Sequence, residues 1–369
     1  MSKIKFLDTT LRDGEQAPGV IFSPEQKIQI ARMLDECGAD IIEAGIPAMG
    51  DEEITALKKI NTLNLNAELL TWNRMKTCDI DASIKTGIKN AHIAIPASGI
   101  HIEKKFNKTP DWVISEIKDV ASYAHKAGLF VSIGLEDASR ADMNFINRVI
   151  AELKPLGITR FRYSDTLGIE TPFNVFERIS TIIKKHNVQI DFHAHNDFGM
   201  ATANTFSAYK AGAEIISVSV NGLGERAGNT PFEEIALAIK YLNTTDININ
   251  FPVLKSLSKK VEEYSGIKTG KLKPVFGDNV FTHESGIHVD GLIKSPDVYS
   301  FFPPDEIGAE TKITIGKHTG TRSIIYLLSQ RGITVTEEQA TKIRSALLLE
   351  LKTSKDVGID NLVEIYHGL

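Results

Sequence analysis

Cysteine is almost absent from this chain. Cys37 and Cys78 are its only two, far apart and outside any C-x-x-C spacing. That excludes a disulfide framework and a cysteine-based zinc site, and it points to reduced thiols in a cytoplasmic protein. Long apolar runs are missing too. No stretch approaches the ~20 residues of a membrane span, and Met1-Ser2-Lys3-Ile4-Lys5 leads into a short apolar run and an Asp rather than a secretory core. Nor is there a basic run. With a net charge of −5, neither nucleic acid nor an anionic membrane has electrostatic support as a partner. A small molecule is the partner that this composition leaves.

What the chain has is length and ordinary globular make-up: 369 residues, 42% hydrophobic and 24% charged, enough for a large core. Short β-type runs alternate with helical patterns over the first two thirds. The runs predict strands near Ile4–Asp8, Asp40–Gly45, Ala67–Trp72, Ala91–Ile95, Leu129–Leu135, Thr159–Ser164, Val188–His193 and Ile215–Val220. Apolar residues at helical spacing lie between them, as in Pro24–Cys37 and Trp112–Ala127, and Gly38, Gly87, Gly128, Gly157 and Gly212 read as helix stops. Eight β-then-α units predict an α/β protein of the (β/α)8 TIM-barrel type, with an open doubly wound sheet as the alternative. The alternation stops after Tyr241. The barrel is therefore expected over residues 1–243, followed over 244–369 by a mostly helical extension acting as a lid and dimerisation arm, with Val253–Tyr264 and Glu337–Leu351 its clearest helices.

In such barrels chemistry collects where strands end, and here each strand runs into polar residues. The first leads to Arg12, Asp13 and Gln16, the second to Glu43, the third to Asn73 and Arg74, and the fourth to Ser98 and His101. The fifth leads to Glu136 and Asp137, the sixth to Asp165 and Thr166. The seventh ends in His193-Ala194-His195, whose two imidazoles point the same way because strand side chains alternate. Two histidines on a wet strand end are the plain alternative to a metal pincer. Asp13 is the candidate for a third, anionic ligand, giving a three-ligand site with open positions. Asp137, Asp165 and Thr166 could instead be helix N-caps, and for Asp137 that is the preferred expectation. The loop Asn221-Gly222-Leu223-Gly224-Glu225-Arg226-Ala227-Gly228-Asn229 misses the dinucleotide spacing. It reads as a flexible turn, or as a loop whose glycines let a phosphate or bulky cofactor approach the backbone.

The segments Asp8–Gln16, His193–Asp197 and Gly222–Asn229 resemble signatures of the acyl-CoA-dependent Claisen condensing enzymes, the homocitrate, 2-isopropylmalate and citramalate synthases of the barrel metallolyase superfamily. Glu136–Asp142, Phe281–Glu284 and Gly286–Leu292 most resemble the homocitrate synthases of nitrogen fixation. The resemblance implies a dimeric acyltransferase that joins acetyl-CoA to 2-oxoglutarate. Asp13, His193 and His195 would bind Mn²⁺, Mg²⁺ or Zn²⁺, with Asn229 beside or on the ion. Arg12 would polarise the 2-oxo group, Glu43 and Thr166 would contact the oxoacid, and Gln16 would support the site. Glu136 and His288 would move protons with Tyr299 nearby, the tail residues reaching a neighbouring barrel. Acetyl-CoA would lie on Asn221, Gly222, Gly224, Glu225 and Arg226. The chain ends at Leu369, so the leucine-binding regulatory domain of isopropylmalate synthases is not expected.

One departure concerns the distal carboxylate. The lysine-pathway homocitrate synthases resemble one another in placing an Arg on strand five, where this chain has Ser132. His101, Arg74 and Ser132 are the candidates for its holder, and 2-oxoisovalerate or pyruvate is the alternative substrate. A zinc hydrolase of the amidohydrolase kind also uses His-x-His in a barrel, but on its first strand. A non-catalytic binding module is the remaining alternative.

Overall fold

The expected alternation is realised strand for strand. The computed structural model describes residues 4–353 and 357–369, and the chain divides into two compact units, Met1–Lys268 and Thr269–Leu369. In the first, among the described residues, β1 (Lys5–Asp8), β2 (Ile41–Gly45), β3 (Glu68–Arg74), β4 (Asn90–Pro96), β5 (Phe130–Glu136), β6 (Arg160–Asp165), β7 (Gln189–Ala194) and β8 (Ile215–Val218) form a closed parallel barrel in sequence order. Closure comes from β8 pairing back onto β1, with Phe6 opposite Ile216 and Asp8 opposite Val218. This is a (β/α)8 TIM barrel.

Eight helices alternate with the strands: α1 (Pro24–Cys37), α2 (Asp51–Asn61), α3 (Thr77–Thr86), α4 (Pro110–Lys126), α5 (Met143–Leu153), α6 (Pro172–His186), α7 (Ala201–Lys210) and α8 (Phe232–Leu242). Local chemistry sets their ends. The Ser23 side chain accepts from the Gln26 amide while Gln26 accepts from the Ser23 amide, a capping box that starts α1 with Pro24 in its first turn. Thr109 and Thr171 cap α4 and α6 more simply, their hydroxyls accepting from the Trp112 and Asn174 amides. The inward stripe of α5, Ile146, Val149, Ile150 and Leu153, is fully buried at the 3–4 spacing that lays a helix on a sheet. Strand residues such as Ile93, Ile133, Phe161 and Phe192 are buried with it in one core.

The first unit extends beyond the expected boundary at 243. A further helix, α9 (Phe251–Ser265), belongs to it rather than to the tail. The Asn250 amide donates to Cys37 O at 2.9 Å and Tyr264 Oη donates to Gln29 on α1. Gly38 ends α1 at φ +96°, and a Cβ there would sit 2.1 Å from Asn248 O, so the returning chain crosses where only glycine leaves room.

The second unit has its own core, formed by Ile324, Leu328, Ala340, Ile343, Leu347 and Leu362. These come from α11 (Thr321–Ser329), α12 (Glu337–Glu350) and α13 (Ile359–His367), which follow α10 (Gly286–Lys294). This unit also holds a two-stranded parallel ladder, β9 (Thr282–His283) with β10 (Lys312–Ile313).

Candidate active site

The metal-type ligands converge. Asp13, five residues beyond the last β1 pairing, meets His193 and His195 at the end of β7, and one ligand atom from each lies within 4.8 Å of the others, all three residues buried. His193 Nε2 is 3.3 Å from His195 Nε2 and 3.6 Å from Asp13 Oδ2. Three donors of this kind would normally repel or compete, and their convergence in a water-poor pocket is what a cation resolves. Burial pushes both imidazoles below their usual range, His193 strongly, so each is neutral and has a lone pair for a metal at neutral pH. Burial alone would raise Asp13, but the Arg12 guanidinium, together with a bond from Asn229, holds it well below the usual carboxylate range.

Asn229 stands beside the three. Its Nδ2 donates to Asp13 Oδ1 at 3.0 Å and to Leu223 O at 3.2 Å, and its buried Oδ1 has no partner. An orphaned buried acceptor next to three ligand atoms fits a divalent cation of the oxygen- and imidazole-loving kind.

The glycines of the loop after β8 exist for this residue. A Cβ on Gly224 would lie 2.4 Å from Asn229 Nδ2, and one on Gly228, at φ +87°, would lie 2.1 Å from Gly222 O. The loop folds inward on itself. Asn221 is bound to Ser258 of α9, accepting from its Oγ at 2.5 Å and donating Nδ2 to its carbonyl at 3.1 Å. Arg226 is engaged by Asp197 at 2.8 and 3.1 Å, and Glu225 is exposed. Packing around Asn229 is what these glycines serve in this structure.

Arg12 is buried at the edge of the cluster. Nη1 donates to Asp13 Oδ2 at 2.6 Å and to Gln16 Oε1 at 3.3 Å, and Nε donates to Glu43. Glu43 in turn accepts from Arg162 Nη1 at 2.9 Å. Arg162 also donates to Asp191 at 2.5 Å, and Ser217 Oγ donates to the other Asp191 oxygen at 2.8 Å. The barrel interior is therefore a buried chain of alternating charge from β8 to β1, and burial of that much charge is tolerable only because each member is paired.

Sequence reading missed part of this floor. His92 of β4 is buried with Nδ1 2.9 Å from Ser132 Oγ of β5, and its ring lies over Gly134, where a Cβ would sit 2.4 Å from His92 Nε2. Burial, then the nearby Arg162 and Arg12 charges, push His92 well below the usual imidazole range. Arg162 Nη2 is buried without a partner. His92 and Arg162 sit inside apolar strands, and in the sequence nothing separates an inward polar residue from an outward one; the period-2 register counted back from His193 reaches Asp191 on β7, but no such anchor marks His92 on β4 or Arg162 on β6.

Other expected residues fall elsewhere. Arg74 is half-exposed and held by Asp79 at 2.8 Å through both Nε and Nη2, so it does not reach the cluster. His101 faces Glu136 and Asp137, each at 3.7 Å, rather than Ser132. Asp137 does not cap a helix with its side chain: it precedes a short 3-10 turn at φ +61° and spends its carboxylate on Arg140. Thr166 Oγ1 accepts from the Asp137 amide at 2.8 Å, and Asp165 accepts from the Ile169 and Glu170 amides, the following helix being capped by Thr171. In the second unit the His288 and Tyr299 rings are 4.5 Å apart and both residues are exposed.

A cavity of about 430 Å³ opens beside Arg12 and Gln16, between the loops after β1 and β2, lined also by Leu11, Val20, Ile46 and Met49.

Comparison with known proteins decides the kinship. The HMGL-like family model matches residues 3–261, and a second model, the homocitrate synthase post-HMGL domain-like, matches residues 275–356. The chain belongs to the HMGL-like family. Among relatives of this HMGL-like chain, homocitrate synthase 1 of a Nostoc species is 42% identical over 99% of this chain and 97% of its own. The 2-isopropylmalate synthase 2 of Caldanaerobacter subterraneus subsp. tengcongensis is 44% identical over 91% of this chain and 88% of its own. The HMG-CoA lyase structure from Bacillus subtilis shares the fold, with a TM-score of 0.65 at 23% identity over 72% of this chain and 95% of that one. The HMGL-like protein is thus an enzyme of the acetyl-CoA condensing, acyltransferase type, within the isopropylmalate and homocitrate synthase group. Among its described residues no helix is long and apolar enough to cross a membrane.

Proposed function

We propose that this enzyme is a homocitrate synthase, condensing acetyl-CoA with 2-oxoglutarate and hydrolysing the thioester to homocitrate and CoA. The observation that carries the choice of oxoacid is the polar floor below the metal-type cluster: His92, Ser132 and the unpartnered Arg162 Nη2. A second carboxylate has donors there. The isopropyl group of 2-oxoisovalerate would strand them without partners, a costly exchange for buried polar groups. Against that stands the 44% identity to an isopropylmalate synthase, which keeps 2-oxoisovalerate, with pyruvate, as the second reading.

Asp13, His193 and His195, with Asn229 beside them, would hold the divalent cation, which when bound supplies Lewis-acid polarisation of the 2-oxo group. Arg12, a permanent cation already aimed across the cluster, stabilises the oxyanion that develops on the keto oxygen. A base removes a methyl proton from acetyl-CoA, and the resulting carbanion bonds to the keto carbon. Glu136 and His288, with Tyr299 against its ring, are assigned the proton transfers. Water then cleaves the thioester and CoA departs. Glu43, Gln16 and Thr166 fix the groups around the oxoacid.

We place the thioester arm in the cavity beside Arg12 and Gln16, whose apolar walls suit a pantetheine chain and whose inner end meets the site. His288 and Tyr299 lie in an exposed apolar collar with Ile287, Val298 and Phe301, while the segments beyond the barrel strands expose Ile21, Met49 and Phe198, and the first turn of α6 exposes Phe173. These faces support a homodimer in which the second unit, Thr269–Leu369, serves as lid and dimerisation arm. Thiol release from acetyl-CoA measured with 2-oxoglutarate, 2-oxoisovalerate and pyruvate tests the reading. Turnover is expected with 2-oxoglutarate, and fast turnover with 2-oxoisovalerate but none with 2-oxoglutarate overturns it.

A further inference from the structure

His101 lies in a π-helical turn, His101–Lys105, after β4, a local geometry that recurs at working sites. Its amide donates to Ser98 Oγ at 3.2 Å, and its side chain is four-fifths buried. The ring stands between two acids: Nδ1 is 3.7 Å from Glu136 Oε1 and Nε2 is 3.7 Å from Asp137 Oδ2. Nδ1 is fully buried and has no hydrogen-bond partner, so a buried polar atom is aimed at Glu136 just beyond bonding distance.

Asp137 is fixed with unusual firmness. It is fully buried, holds a left-handed backbone at φ +61° without being glycine, donates its amide to Thr166 Oγ1, and takes the Arg140 guanidinium at 2.7 to 3.0 Å. A non-glycine residue in that region costs of order 1 kcal/mol or more, and such strain persists where the surroundings over-determine it. On its other side Glu136 meets Lys105 Nζ at 2.9 Å, from the same π turn. The groups facing Glu136 are thus Lys105 and His101, and those facing His101 are Glu136 and Asp137, with Arg140 behind.

We infer that His101 is a positioning residue for Glu136, oriented by the anchored Asp137 and closing on the Glu136 carboxylate when the site is engaged. This rests on the assignment of a proton transfer to Glu136. A donor from Nδ1 fixes which carboxylate oxygen faces the substrate and favours its ionised form; with Nε2–H turned toward Asp137, Nδ1 is a donor when the ring carries both protons. The arrangement is that of a base whose partner is itself oriented by a third group.

The test uses the full chain with its divalent metal and the oxoacid that turns over. His101→Ala is expected to lower kcat about 10–100-fold, the scale of a lost orienting partner, with KM for either substrate changed less than about twofold. The acidic limb of the kcat profile should move up by roughly 0.5–1 pH unit, because a donor to a carboxylate has been lost. His101→Gln, which keeps a donor, should recover part of the rate and of the limb, and serves if the alanine variant folds poorly. An unmoved limb, or a change confined to KM for the oxoacid, overturns the inference. Glu136→Gln separates the two levels: wild-type turnover in that variant sinks the assignment to Glu136 itself, whereas its inactivity together with unmoved His101 limbs sinks only the role of His101.

Discussion

Asp8, at the end of β1, is completely buried, and its carboxylate accepts from the Thr10 amide and hydroxyl at 2.8 and 3.1 Å. Burial, with Glu233 and Glu43 adding repulsion, raises it to about 7 from an ordinary 3.8. Its folded-state proton affinity is raised, so its stabilising contribution is complete below pH 4 and is lost as pH rises toward 7. Asp8→Asn removes that loss: the stability advantage of the variant should grow from pH 5 to pH 8, by up to about 2.5 kcal/mol, and parallel urea melts at the two pH values check it. Glu43 answers to a different rule. It is the shared acceptor of Arg12 and Arg162, and Glu43→Ala leaves two buried guanidinium groups short of a partner. We expect a loss of about 3–5 kcal/mol in chemical denaturation, together with loss of turnover. Residues of this sort divide sharply in how visible they were. His193, His195 and Asp13 announce themselves because apolar strands switch to polar chemistry at their ends, whereas His92, Arg162 and Asp191 act from within the strands and carry no such switch.

At the level of elements, the loop after β8 is the clearest case of backbone serving a side chain. Gly224→Ala forces its new Cβ against the Asn229 amide, so Asn229 must move and its bond to Asp13 lengthen. Divalent-cation affinity, read by titration calorimetry, should fall about 10–100-fold, as for loss of a group supporting a metal ligand, while the melting temperature moves little. Strands and most helices were legible because period-2 and period-3.6 patterns alternate cleanly, and α1 begins and ends where Ser23 and Gly38 signal. The place of α9 was not. Its apolar stripe, Leu254, Leu257 and Val261, looks the same whether it faces α1 or a tail domain, and only tertiary contact assigns it to the first unit. The π turn at His101 was illegible for a similar reason, since a single widened turn has no periodicity of its own.

For the whole molecule, the two residues assigned the proton transfers lie in different units, Glu136 in the first and His288 in the second. If His288 serves a neighbouring barrel, mixing inactive Glu136→Gln and His288→Ala proteins and allowing exchange should restore thiol release, because some hybrid dimers then contain one intact pairing. Activity that stays at background after exchange, confirmed by mass measurement of heterodimers, places both residues in one chain's site instead.

The barrel's seam is where β8 meets β1, and the ion cluster straddles it: Asp13 lies just past the first strand, the two imidazoles lie on the seventh, and Asn229 follows the eighth, bridged to His195. All three principal ligands precede the eighth strand in the chain, and ring closure brings Asp13 beside the two imidazoles. Cation binding there would report that the ring has closed. The same ion, once seated, would act as a clasp on the one joint through which such a ring opens.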